Sequence, residues 1–291
     1  MKGLQRLRVA GFGILGIVFL VACWDAYAAF GPTDGVKVGD TLVLPRATEL
    51  AMPHSWEMVQ RMLEPLRTGS EETVLAAVWT ASLFTLKISA QGWVLGVVVG
   101  LVLAVAMARL KVAEQALLPW IVMSQTVPLI AIAPLVRRWG TQLQFGSFEW
   151  TNEHSVALIA SYLAFFAVAV GALRGFKSPP TTQLELMQAY GVGWWRTFLT
   201  IRLPASVPYL LPALRLAAAS AVIGSVVAEV SIGLRGGIGR MVVDYAQSAS
   251  SDPAKAWAPI FGAVAVGLLA AGAVGLIGLV LRHYKLTGAP A

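Results

Sequence analysis

Three ionisable residues stand inside long apolar stretches of the 291-residue chain: Asp25, Arg215 and Glu229. Lipid exposure costs each of them a few kcal/mol, so charged groups at such positions face the bundle interior, snorkel to the boundary or meet a partner on another helix. Enzymatic chemistry asks for more than this. Asp25 and Glu229 do not form an aspartyl pair, and neither a Gly-x-Ser-Gly nor a His-Glu-x-x-His arrangement occurs. His54, His154 and His283 are too scattered for a metal cluster, and a single cysteine, Cys23, excludes an internal disulfide or a Cys-rich metal site. No catalytic residue and no metal site is expected. The run Gly171-Ala-Leu-Arg-Gly175-Phe-Lys177-Ser178 imitates a phosphate-binding loop, but Phe176 separates the glycine from the lysine. The chain is therefore not itself an ATPase, and it contains no cofactor of its own.

The elements that must position these residues are membrane helices. Hydrophobic residues make up 57% of the chain and charged ones 13%, against about 25% in an ordinary soluble domain. Ile88 to Ala108, Gln115 to Val136, Ser155 to Leu173 and Ala256 to Leu281 are uncharged. Each approaches or exceeds the roughly 20 residues that cross about 30 Å of hydrocarbon as a helix. Val9 to Phe30, with Asp25, and Tyr209 to Val230, with Arg215 and Glu229, bring the number of spans to about six. The expected fold is all-α, a polytopic membrane helical bundle. Lys2, Arg6 and Arg8 before an apolar run also read as a secretory signal, and Leu20-Val21-Ala22-Cys23 resembles a lipoprotein cleavage box. The continuation to Phe30 and the five later spans favour an uncleaved first helix.

With both termini in the cytoplasm, the inner pieces (1–8, 109–114, 174–207, 282–291) hold 11 Lys/Arg and 2 acids, and the outer ones (31–73, 137–154, 231–255) hold 9 and 11. Basic density is then about twofold higher inside, as the positive-inside rule requires. The formal charge of +7 follows from these loops, and no basic stripe with interleaved aromatics points to nucleic acid. Residues 1–73 form a first helix with a long external loop, in which Glu49 to Leu66 has an amphipathic pattern. Residues 74–291 form the main membrane domain. Lys87 is expected to divide Val74 to Ala108 into an interfacial or tilted lead-in, Val74 to Leu86, and a span. Gly92, Gly96 and Gly100 fall on one face of that span, where another backbone can approach. Ser124, Gln125, Thr126, Pro128 and Pro134 predict a third span interrupted twice, the first candidate for a pathway helix. The candidate pathway residues are Ser124, Gln125, Pro128, Arg215, Ser220 and Glu229.

The longest cytoplasmic loop, within 174–208, has its own design. Pro179-Pro180 end a helix, and Thr182 with Glu185 has the spacing of a capping box. Leu184, Met187 and Tyr190 give the following short helix an apolar stripe, and Gly191 stops it. Trp194, Phe198 and Ile201 predict a second amphipathic helix along the membrane boundary, closed by Pro204. These stripes are covered either by the chain's own spans or by another subunit, and the pattern alone leaves both open.

Glu185, Gly191, Ile201, Leu203 and Pro204 stand in the order E, five residues, G, nine residues, I, one residue, L, P. This spacing resembles the cytoplasmic EAA motif of permease subunits in binding-protein-dependent ABC importers, with Leu186 and Met187 in place of its alanines. Gln125-Thr-Val-Pro-Leu-Ile-Ala-Ile-Ala-Pro-Leu-Val136, Ala213-Leu-Arg215, Val227-Ala-Glu229 and Gly236-Gly-Ile-Gly239 are similar to the nitrate, sulfonate and taurine branch, over roughly residues 75–285. The resemblance implies a type I permease fold whose short loop helix is gripped by an ATPase. Glu185, Leu186, Met187, Ala189, Gly191, Ile201, Leu203 and Pro204 are then the ATPase-coupling residues. It further implies an ATPase dimer that binds ATP and Mg, a second permease copy, an extracytoplasmic binding protein, and a small nutrient as cargo: a sulfonate, nitrate, or a pyrimidine- or riboflavin-like vitamin precursor. A secondary transporter is the alternative, but it has no use for the Glu185 to Pro204 loop.

Overall fold

The computed structural model describes residues 2–38, 41–44, 46–146 and 148–280. The elements follow the apolar runs. Helix α1 is Lys2–Phe30, the hairpin β1–β2 is Val36–Val38 and Thr41–Leu44, and α2 is Ser55–Leu63. Then come α3 (Val74–Arg109), α4 (Lys111–Ser124), α5 (Leu129–Gly140), a two-residue hairpin β3–β4 (Gln144–Phe145, Phe148–Glu149) and α6 (Asn152–Phe176). The loop helices α7 (Thr181–Ala189) and α8 (Trp194–Thr197) precede α9 (Leu203–Ile232), α10 (Ile238–Gln247) and α11 (Ala258–Val280). Five helical stretches are long and apolar enough to cross a membrane, and the α4–α5 pair, bent by 104°, makes a sixth. Contacts divide the chain into two units: residues up to Trp79 with Val242–Phe261, and Thr80–Met241 with the residues from Gly262 on.

In the second unit the helices meet through small residues, as expected where lipid removes the hydrophobic drive and only close packing holds helices together. Ala160, Ala164 and Ala167 of α6 are buried with Ala217 and Ala221 of α9. The glycine face of α3 lies on α6 as its spacing predicts: a β-carbon on Gly96 would come within 2.7 Å of the Ala164 methyl, and one on Gly100 within 2.8 Å of the Phe165 carbonyl. Gly224 brings α9 equally close to α6, at the Ala160 Cα.

Several local expectations are corrected. Lys87 does not divide α3, which runs unbroken for 36 residues, about 54 Å. The side chain is exposed, so the helix loses no hydrogen bond to it and its head can reach towards an interface. The third span breaks once, at residues 125–128, while Pro134 lies inside α5 and Pro119 inside α4. The stretch after Gly191 is not a separate surface helix stopped by Pro204. It passes through a π-helical turn, Phe198–Arg202, into α9, with Pro204 in the first turn. In the π turn the Leu203 amide donates to the Phe198 carbonyl, and this wider turn carries the helix across Pro204, which has no amide to donate.

Candidate functional site: an exposed loop helix on a clamped base

The structure answers the question left open by the two apolar stripes, and answers it differently for each. Phe198 is buried in a cluster with Met107, Ile121, Leu173 and Phe176 from α3, α4 and α6. Trp194 stacks on Phe198 at 5.1 Å, and the Arg109 guanidinium at the end of α3 stands 5.5 Å and 5.3 Å from the Trp194 and Trp195 rings. The second stripe is therefore covered by the chain's own helices. Helix α7 has no buried residue at all. Glu185 and Ala189 are exposed, Leu186 is 56% and Tyr190 76% exposed, and Leu184 and Met187 are half-buried.

The ends of α7 explain why it is nonetheless a helix. At its start the Pro180 carbonyl accepts from the Gln183 and Leu184 amides, and no side chain caps it. The expected Thr182–Glu185 capping box is not formed, because the helix begins one residue earlier and Thr182 already lies inside it. At its end Gly191 has φ +67°, its amide donates to the Gln188 carbonyl at 2.9 Å, and the Val192 amide donates to Met187 at 2.9 Å. This pair of bonds is a Schellman closure, and its left-handed position suits glycine.

The base of the loop is tied down at several points. Lys177 forms an ion pair with Glu114 of α4, Arg202 donates to the Phe176 carbonyl at 2.9 Å, and the Ser178 hydroxyl bonds to Gly175 and Ala205 carbonyls. Gly175 lets α6 touch α9 at Ser206, where a β-carbon would come within 2.7 Å of the serine Cβ. The segments that flank α7 are thus tied to α4, α6 and α9 together. Of the other motif residues, Ile201 and Pro204 are half-buried and Leu203 is 37% exposed, at the junction of the π turn and α9.

The expected pathway residues fall in separate settings. Ser124, Gln125 and Pro128 gather at the break between α4 and α5. The Tyr162 hydroxyl of α6 donates to the Ser124 carbonyl, the Ser124 hydroxyl bonds to Ile121 at 2.8 Å, and Pro128 is the N-cap of α5. An apolar cavity of about 510 Å³ adjoins α5 and α6, lined among others by Leu129, Val136, Tyr162 and Phe165. Arg215 is exposed and donates to the Gly275 carbonyl of α11 at 3.3 Å, where the absence of a glycine side chain leaves room for the guanidinium. Ser220 is half-buried on α9.

Glu229 is fully buried. One carboxylate oxygen accepts from the Thr85 hydroxyl of α3 at 2.8 Å and the other from the Gly239 amide at 2.7 Å, while Thr85 accepts from the Ile238 amide at 2.9 Å. The two similar-looking segments, Val227-Ala-Glu229 and Gly236-Gly-Ile-Gly239, are therefore halves of one clasp. A β-carbon on Gly237 would collide with the Glu229 carboxyl group. The first turn of α10 thus donates one amide to the carboxyl group and another to Thr85, at a helix start that leaves such amides without an intrahelical partner. Thr85 and Tyr162 escaped the sequence reading. Each stands among other polar residues of its helix (Ser82, Lys87 and Ser89 around Thr85, Ser161 beside Tyr162) that give no sign of it, and its partner is distant in sequence.

A model of the family described as binding-protein-dependent transport system inner membrane component matches residues 96–284. The chain is 32% identical over 194 residues to the formylaminopyrimidine transport permease protein ThiX of Halalkalibacterium halodurans, covering 65% of this chain and 71% of that one. It is 30% identical over 176 residues to the putative aliphatic sulfonates transport permease protein SsuC of Bacillus subtilis, 60% of each chain. Over 135 residues it is 29% identical to the riboflavin transport system permease protein RibX of Chloroflexus aurantiacus, 46% of this chain and 47% of that one. Apolar helices packed through small residues around a broken span, with these likenesses, define a multi-pass transport permease rather than an enzyme. The chain belongs to the family of binding-protein-dependent transport system inner membrane components.

Proposed function

We infer that the chain forms half of the translocation pathway of an ATP-driven importer and that α7 is the handle by which an ATPase subunit moves it. The observation that carries this reading is the contrast within one loop. Trp194 and Phe198 are packed away by the chain's own helices, whereas α7 buries nothing and yet sits on a base clamped to three spans. A helix of nine residues is marginal in isolation, so its preservation fits a second surface that closes over it. Glu185, Leu186, Met187, Ala189 and Gly191 meet that surface, and Ile201, Leu203 and Pro204 pass its motion to α9. ATP and Mg are held by the ATPase dimer, closing of which would rock the spans between inward-open and outward-open arrangements.

On this reading α7 and both termini face the cytoplasm, a second copy of the chain completes the pathway, and an extracytoplasmic binding protein delivers the cargo. Formylaminopyrimidine, sulfonate and riboflavin transport in the relatives' names supports a cargo among small polar or heterocyclic nutrients. Ser124, Gln125 and Pro128 at the α4–α5 break, and Arg215 and Ser220 on α9, are the proposed pathway positions. Glu229 contributes indirectly, by holding α10 against α9 and α3.

A photo-crosslinking side chain at Leu186, activated in native membranes, tests the handle. The expected adduct contains a protein with a phosphate-binding loop, and the same probe at Leu216, exposed on α9 away from the loop, yields none. Adducts at Leu186 with lipid alone would overturn the assignment.

A further inference from the structure

Helix α2 belongs to the first unit and lies outside the residues that match the family. It carries apolar side chains on two faces. Met58 is 4% exposed and points into its unit. At about 100° per residue, Trp56, Val59 and Leu63 fall together in a sector about 60° wide, turned roughly 100–160° away from Met58. They are 56%, 57% and 64% exposed. A polar edge separates the two faces, where Glu57, Gln60, Arg61 and Glu64 line a shallow pocket. Three large apolar side chains aligned on nine residues form a contiguous patch of the kind that marks an interface.

What covers the patch follows from where α2 is tied. The Asp25 carboxylate of α1 accepts from the Ser55 amide at 2.8 Å and from the Ser55 hydroxyl, and the Trp24 indole donates to the Pro53 carbonyl at 3.0 Å. Asp25 lies five residues before Phe30, where the apolar span of α1 ends, and Phe12, Ile14, Leu15, Phe19 and Leu20 of that span are all more than 60% exposed, as lipid-facing residues are. The first turn of α2 is thereby held about 7–8 Å inside the end of a membrane span, at the level of the headgroups and the outermost acyl carbons. His54 stacks on the Trp56 ring at 4.0 Å and sets its orientation. Tryptophan is the residue type enriched at that depth.

We propose that α2 is an interfacial helix that lies in the plane of the membrane surface, with Trp56, Val59 and Leu63 inserted at the acyl boundary and Glu57, Gln60 and Glu64 turned to water. The occupant of the exposed stripe is lipid, because Trp56 at its head follows Ser55, which is bonded to Asp25 within the apolar span of α1. The Asp25–Ser55 bonds fix the depth, and the stripe fixes the rotation about the helix axis. The first span thus gains a lateral anchor at the surface where it emerges.

Nitroxide labels placed singly at Val59, Leu63, Glu57 and Gln60, in the full chain carrying Cys23→Ser and reconstituted in phosphatidylcholine–phosphatidylglycerol vesicles, test this. Power saturation should give collision rates dominated by oxygen at Val59 and Leu63, and by a water-soluble nickel chelate at Glu57 and Gln60. Val59, Gln60 and Leu63 are exposed, whereas Glu57 is half-buried and accepts from the His54 amide at the start of α2, so an unfolding temperature equal to that of the unlabelled protein identifies the labelled chains that have kept their fold. Nickel accessibility at Val59 and Leu63 equal to that at Gln60 would overturn the proposal. So would exclusion of both reagents from these two sites, which would mean that protein and not lipid covers the stripe.

Discussion

Replacing Gly191 by valine is expected to reduce ATP-driven uptake by roughly 5–30-fold, the range that corresponds to 1–2 kcal/mol, while leaving the spans folded. The residue holds φ +67°, and nothing lies within 4 Å of where a side chain would begin. No atom of this chain stands in the way, so within the permease the effect comes from the backbone. A β-branched residue in the left-handed region costs about 1–2 kcal/mol, and the Gly191–Gln188 and Val192–Met187 bonds that close α7 depend on that conformation. The last turn of α7 would open, turning Met187 and Tyr190 away from their positions. Asparagine tolerates the left-handed region and should retain most of the uptake. Uptake by Gly191→Val at the level of the unchanged protein would contradict the account. Equal damage by Asn and Val would also contradict it, since it would make side-chain volume, not backbone conformation, the cause.

The largest stability effect is expected at the Glu229 clasp. Glu229→Leu leaves the Gly239 amide and the Thr85 hydroxyl without their acceptor in a site that water does not reach. Each unmade bond costs about 1–3 kcal/mol, so the variant should lose about 2–6 kcal/mol, seen as earlier thermal unfolding in detergent. Glu229→Gln retains one acceptor oxygen but turns an amino group towards a donor, so an intermediate loss is expected. Thr85→Val on its own also breaks the link to Ile238. Combined with Glu229→Leu it should cost clearly less than the two single changes together, because both remove the same bond. Additive losses, or a Glu229→Leu protein as stable as the original, would rule out the clasp.

Much of this architecture is legible in the sequence because a membrane makes the rules strict. Apolar runs of about 20 residues can only be helices there, and Gly92, Gly96 and Gly100 announced the α3–α6 contact by spacing alone. Gly191 was equally readable as the stop of α7. The failures share a cause: each weighed a single residue without its neighbours. Lys87 looked like a boundary, but a lysine on the helix surface leaves the backbone ladder intact. Pro134 and Pro204 looked like breaks, but the one is accommodated within α5 and the other sits at a helix start next to a π turn. Thr182 and Glu185 had capping-box spacing, yet Pro180 had already started the helix. The Thr85–Glu229 bond joins residues 144 apart in sequence and leaves no periodic trace.

The Glu185 to Pro204 loop was the most informative segment of the sequence, and the structure adds which of its two stripes is free. The handle role of α7 is tested most directly by reconstituting the permease with its ATPase and binding protein in proteoliposomes and removing residues 182–191. The account predicts that ATP hydrolysis no longer responds to the liganded binding protein and that uptake ceases, with the spans still inserted. Stimulation of hydrolysis that survives the deletion would contradict it.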